Sequence, residues 1–248
     1  MALCTVHYFS SALGRQTAAN VLLPEVGTPP YPVLYLLHGL SDDYTLWGRR
    51  SNIERHVAEV PLIVVMPDGG RGFYSDAVAG EKFQTALAVE LVDRIDRTFP
   101  THAAREGRSV AGLSMGGYGA MKFAFTYPER FHAAVSLSGA VGWGNRTTGR
   151  NQEPMSEEWL RILGPGYRGG PNDLHALAEK ADPATLPALR IDCGVEDFLI
   201  ADNREFHAHL DTLGISHEYA EHPGSHNWDY WDLHVQDAIA FHKKALGF

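Results

Sequence analysis

Apolar residues along the chain recur with two periods. Short runs in which Val, Ile, Leu, Phe and Tyr crowd together or alternate with polar residues, each bounded by Gly, Pro or Asp, occupy residues 5–9, 18–23, 33–37, 62–66, 109–113, 133–137, 189–193 and 216–220. Such runs predict strands. Apolar positions fall three and four apart over 46–58, 86–99, 115–125, 202–213 and 230–246, the spacing that gives a helix one apolar face. The alternation predicts an α/β fold with a mostly parallel sheet covered on both faces, because parallel neighbours need a crossover and a helix supplies it economically. The first two strands have no helix between them and are expected to form an antiparallel edge.

One stretch breaks the rhythm. Residues 140–187 are rich in Gly and Pro and carry only two short helical candidates, 156–163 and 174–180. So long a connection is usually functional, and the expectation is a lid-like insertion in a single domain spanning 1–248.

Composition narrows the class without naming it. With 44% hydrophobic and 21% charged residues, the chain of 248 residues can bury a full core, which excludes disordered, collagen-like and coiled-coil classes. A formal charge of −9 repels a phosphate backbone, so nucleic acid is not an expected partner. The first ten residues lack a basic cluster followed by an apolar run, and nowhere do 18 apolar residues occur in succession, so a cytoplasmic chain with no membrane contact is expected. Cys4 and Cys193 are too few for a disulfide scaffold or a zinc site and read as small buried hydrophobes. His207 and His209, two apart on a helix, face different directions, and neither a metal nor another cofactor is expected. No segment advertises a subunit interface, and a homo-oligomer is left open.

Chemistry concentrates at Gly112-Leu113-Ser114-Met115-Gly116, where a strand ends and a helix begins. A turn this tight holds the Ser114 hydroxyl above the sheet and needs small residues on either side. A serine hydroxyl is a poor nucleophile unless a base and an orienting acid accompany it, arriving in the chain order Ser, acid, His. The strand 189–193 runs into Gly194-Val195-Glu196-Asp197, and Asp197 is the expected acid, with Glu196, Asp202 and Asp192 as rivals. His226, in the loop before the last helix, is the expected base, ahead of His222 beside Pro223. Oxyanion donors are expected from the Met115 amide and from the Leu40 amide in the loop after the third strand, with Gly39 permitting close approach and His38 structural.

These features sit in a wider pattern: Tyr35-Leu36-Leu37-His38-Gly39-Leu40, Trp47, Val64-Val65-Met66-Pro67-Asp68, the stretch from Gly112 to Ala120, Cys193-Gly194-Val195-Glu196-Asp197-Phe198-Leu199, and Gly224-Ser225-His226-Asn227-Trp228-Asp229-Tyr230-Trp231. In this order, over nearly the whole chain, they resemble the esterase D family of α/β-hydrolases, most closely its tributyrin esterases. The resemblance implies an α/β-hydrolase fold and a triad of Ser114, Asp197 and His226 with the oxyanion hole at Leu40 and Met115. The family also includes S-formylglutathione hydrolases, feruloyl and acetyl-carbohydrate esterases, and mycolyltransferases. S-formylglutathione hydrolases usually carry His before the nucleophile, where this chain has Leu113.

The expected activity is hydrolysis of short-chain acyl esters, small molecules, through an acyl-enzyme. Tyr74, Trp143, Phe198 and Trp228 lie in loops that should rim the site and wall a small acyl pocket. Competing expectations are a thioesterase, a feruloyl or acetyl-carbohydrate esterase, an acyltransferase, and a binding module that has lost turnover.

Overall fold

The computed structural model describes residues 1–146 and 154–248. Eight strands, β1 (Ala2–Ser10), β2 (Arg15–Leu23), β3 (Val33–Leu37), β4 (Ile63–Pro67), β5 (Arg108–Leu113), β6 (Ala133–Leu137), β7 (Ala188–Gly194) and β8 (Glu218–His222), form one sheet in the order β1-β2-β4-β3-β5-β6-β7-β8. β1 and β2 are antiparallel to each other, and β2 is antiparallel to β4, while every other neighbouring pair is parallel. The expected antiparallel N-terminal edge is therefore present.

Central strands are apolar on both sides because both faces are covered. In β3, Val33, Tyr35 and Leu37 enter one apolar layer and Leu34 and Leu36 the other, all of them buried. The first layer lies beneath α3 (Phe83–Thr85), which continues through a π turn (Ala86–Leu91) into α4 (Val92–Thr98), and beneath α5 (Met115–Thr126) and α8 (Ile200–Thr212). The second lies beneath α1 (Leu46–Arg50), α2 (Ile53–His56) and α9 (Trp228–Leu246).

One predicted helix divides. Within 46–58 the chain is extended at Ser51, whose hydroxyl donates to the Trp47 carbonyl, and the Asn52 amide donates to Asp232 on α9 at 2.7 Å. A backbone donor taken by a distant carboxylate cannot continue the helical ladder. The last strand is shifted from the predicted 216–220 to Glu218–His222. From the stretch 140–187, α6 (Glu157–Leu163) and α7 (Leu174–Lys180) match the two helical candidates, and its residues 147–153 lie outside the described residues. No helix among the described residues is long and apolar enough to cross a membrane.

The register Leu37↔Gly112, Leu113↔Leu137, Leu137↔Asp192 and Gly194↔His222 aligns the carboxyl ends of the parallel strands. The loops after β3, β5, β7 and β8 consequently converge at one edge, the usual place for a site in such sheets.

Candidate active site

Between β5 and α5 the backbone makes a sharp turn at Ser114, with φ 52° and ψ −115°. A non-glycine residue in this region stores on the order of 1–3 kcal/mol of strain. The turn is held by the Ser114 amide donating to the Leu137 carbonyl at 2.9 Å and by the Ser114 carbonyl accepting from the Tyr118 and Ala140 amides at 3.1 and 3.0 Å. Its two glycines are steric requirements. A Cβ at Gly112 would lie 2.5 Å from the Gly116 carbonyl, and one at Gly116 would lie 2.5 Å from the Leu37 carbonyl oxygen.

Ser114 Oγ lies 3.0 Å from His226 Nε2, and His226 Nδ1 lies 2.8 Å from Asp197 Oδ2. A carboxylate only accepts, so the Nδ1 proton donates to Asp197 and the Nε2 lone pair faces the serine hydroxyl. The Asp197 side chain is fully buried and its Oδ1 also accepts the Leu199 amide at 2.8 Å. The imidazole is flanked by Phe198, with ring centroids 4.4 Å apart, and by the edge of Trp231 at 4.9 Å. The structure thus brings together the three residues expected from their order in the chain.

The rival groups are engaged elsewhere. Glu196 accepts the Gly224 amide at 2.5 Å, and Asp202 pairs with Arg146. Asp192 accepts the Tyr230 hydroxyl at 2.5 Å and lies 3.4 Å from His222 Nε2.

Ser114 opens onto a cleft of about 170 Å³ lined by Leu40, Phe73, Met115, Ala140, Trp143, Arg146, Trp159, Phe198 and Leu199. Leu40 and Met115 are where the oxyanion donors were expected, beside Ser114. The loop that carries Leu40 is braced by His38. Its Nε2 accepts the Gly69 amide at 2.8 Å, so its Nδ1 carries the proton and donates to the Gly39 carbonyl at 2.7 Å. Burial holds the His38 pKa below the usual imidazole value, which suits a neutral structural ring.

Of the four aromatic residues expected at the rim, Trp143 and Phe198 line the cleft. Tyr74 does not. It is fully buried and donates its hydroxyl to the His38 carbonyl at 2.9 Å, beside the loop that carries Leu40. Trp228 packs edge-on against Trp47 and Trp231 and is likewise absent from the lining. Phe73 and Trp159 take the vacated role. Phe73 stacks on Trp143 with centroids 3.9 Å apart and planes 8° from parallel, and Trp159 meets both rings edge-on. The signals for them were the Gly-rich run 69–72 before Phe73, and the helical spacing that puts Trp159 on one face with Ile162 and Leu163.

Cys4 and Cys193 are both free, Cys193 buried and Cys4 only half-buried on the edge strand. His207 faces His217 rather than His209, with ring nitrogens 2.7 Å apart, and Asp211 is near both. Asp192, His222, His234 and Asp237 form a second grouping, in which the two imidazoles stack 15° from parallel. Stacked rings do not point their in-plane lone pairs at one ion, and in the first grouping the two imidazoles hydrogen-bond to each other.

Sheet order, the strained serine turn and the chain order Ser, acid, His together define an α/β-hydrolase. The chain belongs to the Esterase family, whose model matches residues 10–242, and is a carboxylic ester hydrolase. It is 28% identical to an acetyl esterase of Caldicellulosiruptor saccharolyticus over 98% of this chain and 99% of that protein. Among solved structures, the fluorophosphonate-binding serine hydrolase FphF of Staphylococcus aureus superposes with a TM-score of 0.86 at 30% identity, covering 97% of this chain and 98% of that one. The S-formylglutathione hydrolase FrmB of the same organism does so with a TM-score of 0.86 at 32% identity, over 97% and 98% of the two chains.

Proposed function

We propose that this protein is a serine esterase that hydrolyses short-chain acyl esters through an acyl-enzyme on Ser114, with Ala140, Trp143 and Trp159 forming one wall of the site within the same domain. The observation that carries this reading is the unbroken hydrogen-bonded chain from Ser114 Oγ through His226 to buried Asp197. His226 Nε2 takes the hydroxyl proton as Oγ bonds to the acyl carbon, and the charge that develops on the carbonyl oxygen is received by the Leu40 and Met115 amides. The intermediate collapses as the C–O bond to the leaving group breaks, and His226 returns the proton to the departing alcohol. Water then repeats the sequence, releasing the acid. Asp197 keeps the imidazole in the one tautomer that can act as base and stabilises the imidazolium.

Chain-length preference follows from space. The cleft at Ser114 is small, about 170 Å³, and is walled by the rings of Phe73, Trp143 and Trp159, which favours a short acyl group. Intact-mass and peptide mapping after fluorophosphonate treatment should give a single adduct on the Ser114 peptide, lost in His226→Ala. Ser114→Ala should lower kcat on p-nitrophenyl acetate by several orders of magnitude; retention of a tenth of the activity would remove Ser114 from the mechanism. Tributyrin and a p-nitrophenyl ester series should show highest kcat/KM between two and four carbons, and a maximum at eight or more contradicts the reading.

Likeness to FrmB favours a second reading, a thioesterase for S-formylglutathione, against which Leu113 stands before the nucleophile. A kcat/KM for that thioester well above those for simple esters would select it.

A further inference from the structure

We infer that Trp159 is the wall that limits acyl length and that a strap of Arg71 and Glu158 holds it in place. This deepens the proposed reaction at Ser114 and rests on it. Trp159 stands in the first turn of α6, where Ser156 caps the helix by accepting the Trp159 amide at 3.2 Å. Its indole closes the cleft against Phe73 and Trp143.

The two ends of α6 are tied differently. At the C-terminal end, Ile162 and Arg161 carbonyls accept the Val78 and Ala79 amides at 3.1 and 3.0 Å, fixed backbone bonds to the loop before α3. At the N-terminal end, Arg71 grips the neighbour of Trp159: Nε and Nη2 donate to the two Glu158 carboxylate oxygens at 2.7 and 2.8 Å. A forked guanidinium–carboxylate pair fixes direction as well as distance. It lies at the surface, with side chains 49% and 35% exposed, so water can replace each partner when the pair opens. The pair borders a second cavity of about 250 Å³, lined by Arg71, Phe83, Glu158, Arg161 and Ile162 among others.

The third arm of the same guanidinium, Nη1, donates to Ser41 Oγ at 2.5 Å. Ser41 follows Leu40 and has φ 72°. Arg71 thus links the acyl wall to the oxyanion loop, and its loss differs from the loss of Glu158. Removing Glu158 frees only the wall, whereas removing Arg71 also loosens the loop that carries Leu40.

The test is the ratio of kcat/KM for p-nitrophenyl octanoate to that for the acetate, measured on variants that still react with fluorophosphonate at Ser114. Trp159→Ala and Glu158→Gln should each raise the ratio at least tenfold, and Glu157→Gln, one residue away, should leave it unchanged. Arg71→Gln should raise it similarly and also lower kcat on the acetate several-fold. Raising NaCl to about 1 M, where the Debye length falls to about 3 Å, should raise the wild-type ratio and not that of Glu158→Gln. Ratios within twofold of wild type for both Trp159→Ala and Glu158→Gln overturn the inference, and a shift in Trp159→Ala alone overturns the strap. Turnover that survives Ser114→Ala overturns instead the reaction on which the inference rests.

Discussion

At the scale of single residues, the site is decided by protons and by close approach. Asp197 fixes the His226 tautomer because a carboxylate can only accept, whereas an amide can donate. Asp197→Asn, of nearly the same shape, should let the amide donate to Nδ1 and drive the proton onto Nε2, where it blocks the base; kcat should fall about 10⁴-fold with the melting temperature little changed. Gly116 obeys sterics. The Cβ of Gly116→Ala would meet the Leu37 and His38 carbonyl oxygens at 2.5 and 2.7 Å, backbone on both counts. That substitution should cost about 1–3 kcal/mol in urea unfolding and reduce turnover by displacing the loop that holds Leu40. A wild-type urea midpoint would show that the β3 end yields freely. Both residues could be read from the sequence, since their chemistry follows from the turn they occupy.

At the scale of elements, α5 carries a group that its position after the Ser114 turn does not explain. Lys122 is fully buried and donates to Ser75 Oγ at 2.7 Å and to Asn172 Oδ1, so one side chain ties α5 to the loop after β4 and to the stretch before α7. Burial lowers its pKa from 10.5 to about 7. The unfolded chain therefore holds this proton more firmly between those pH values. Folding stability from this group is greatest above pH 10.5, and is lost as pH falls towards 7, by up to about 5 kcal/mol. Relative to Lys122→Met, wild-type unfolding free energy should rise between pH 7 and 10; parallel pH profiles for the two proteins would contradict this. Nothing in the apolar spacing of α5 distinguishes Lys122 from a solvent-facing lysine, because its burial is created by elements distant in the chain. The division of α1 from α2 has the same origin, in the bond from Asn52 to Asp232.

At the scale of the whole molecule, acid sensitivity follows from imidazoles kept neutral inside. His242 on α9 is fully buried, finds no hydrogen-bond partner among the described residues, and has its pKa lowered by burial from 6.5 to about 3. His38 and His175 are lowered in the same direction, also mainly by burial. Each group binds its proton more readily in the unfolded chain, so stability from them is fully present above pH 6.5 and is lost as pH falls towards their folded values. The acid unfolding midpoint, followed by circular dichroism, should move to lower pH in His242→Leu, and a midpoint unchanged or raised would count against this account. Apart from the break between α1 and α2 and the shift of β8, the strand and helix pattern, the antiparallel edge, the Ser114 turn and the order of Asp197 and His226 were set by sequence alone, because each rests on local periodicity or on chain order along a parallel sheet. Tertiary structure decided which aromatic residues line the cleft at Ser114. Tyr74 is drawn inward to the His38 carbonyl, 36 residues away, and Arg71 reaches Glu158 across 87. Such contacts depend on how separate loops meet above the sheet, and no local spacing encodes that meeting.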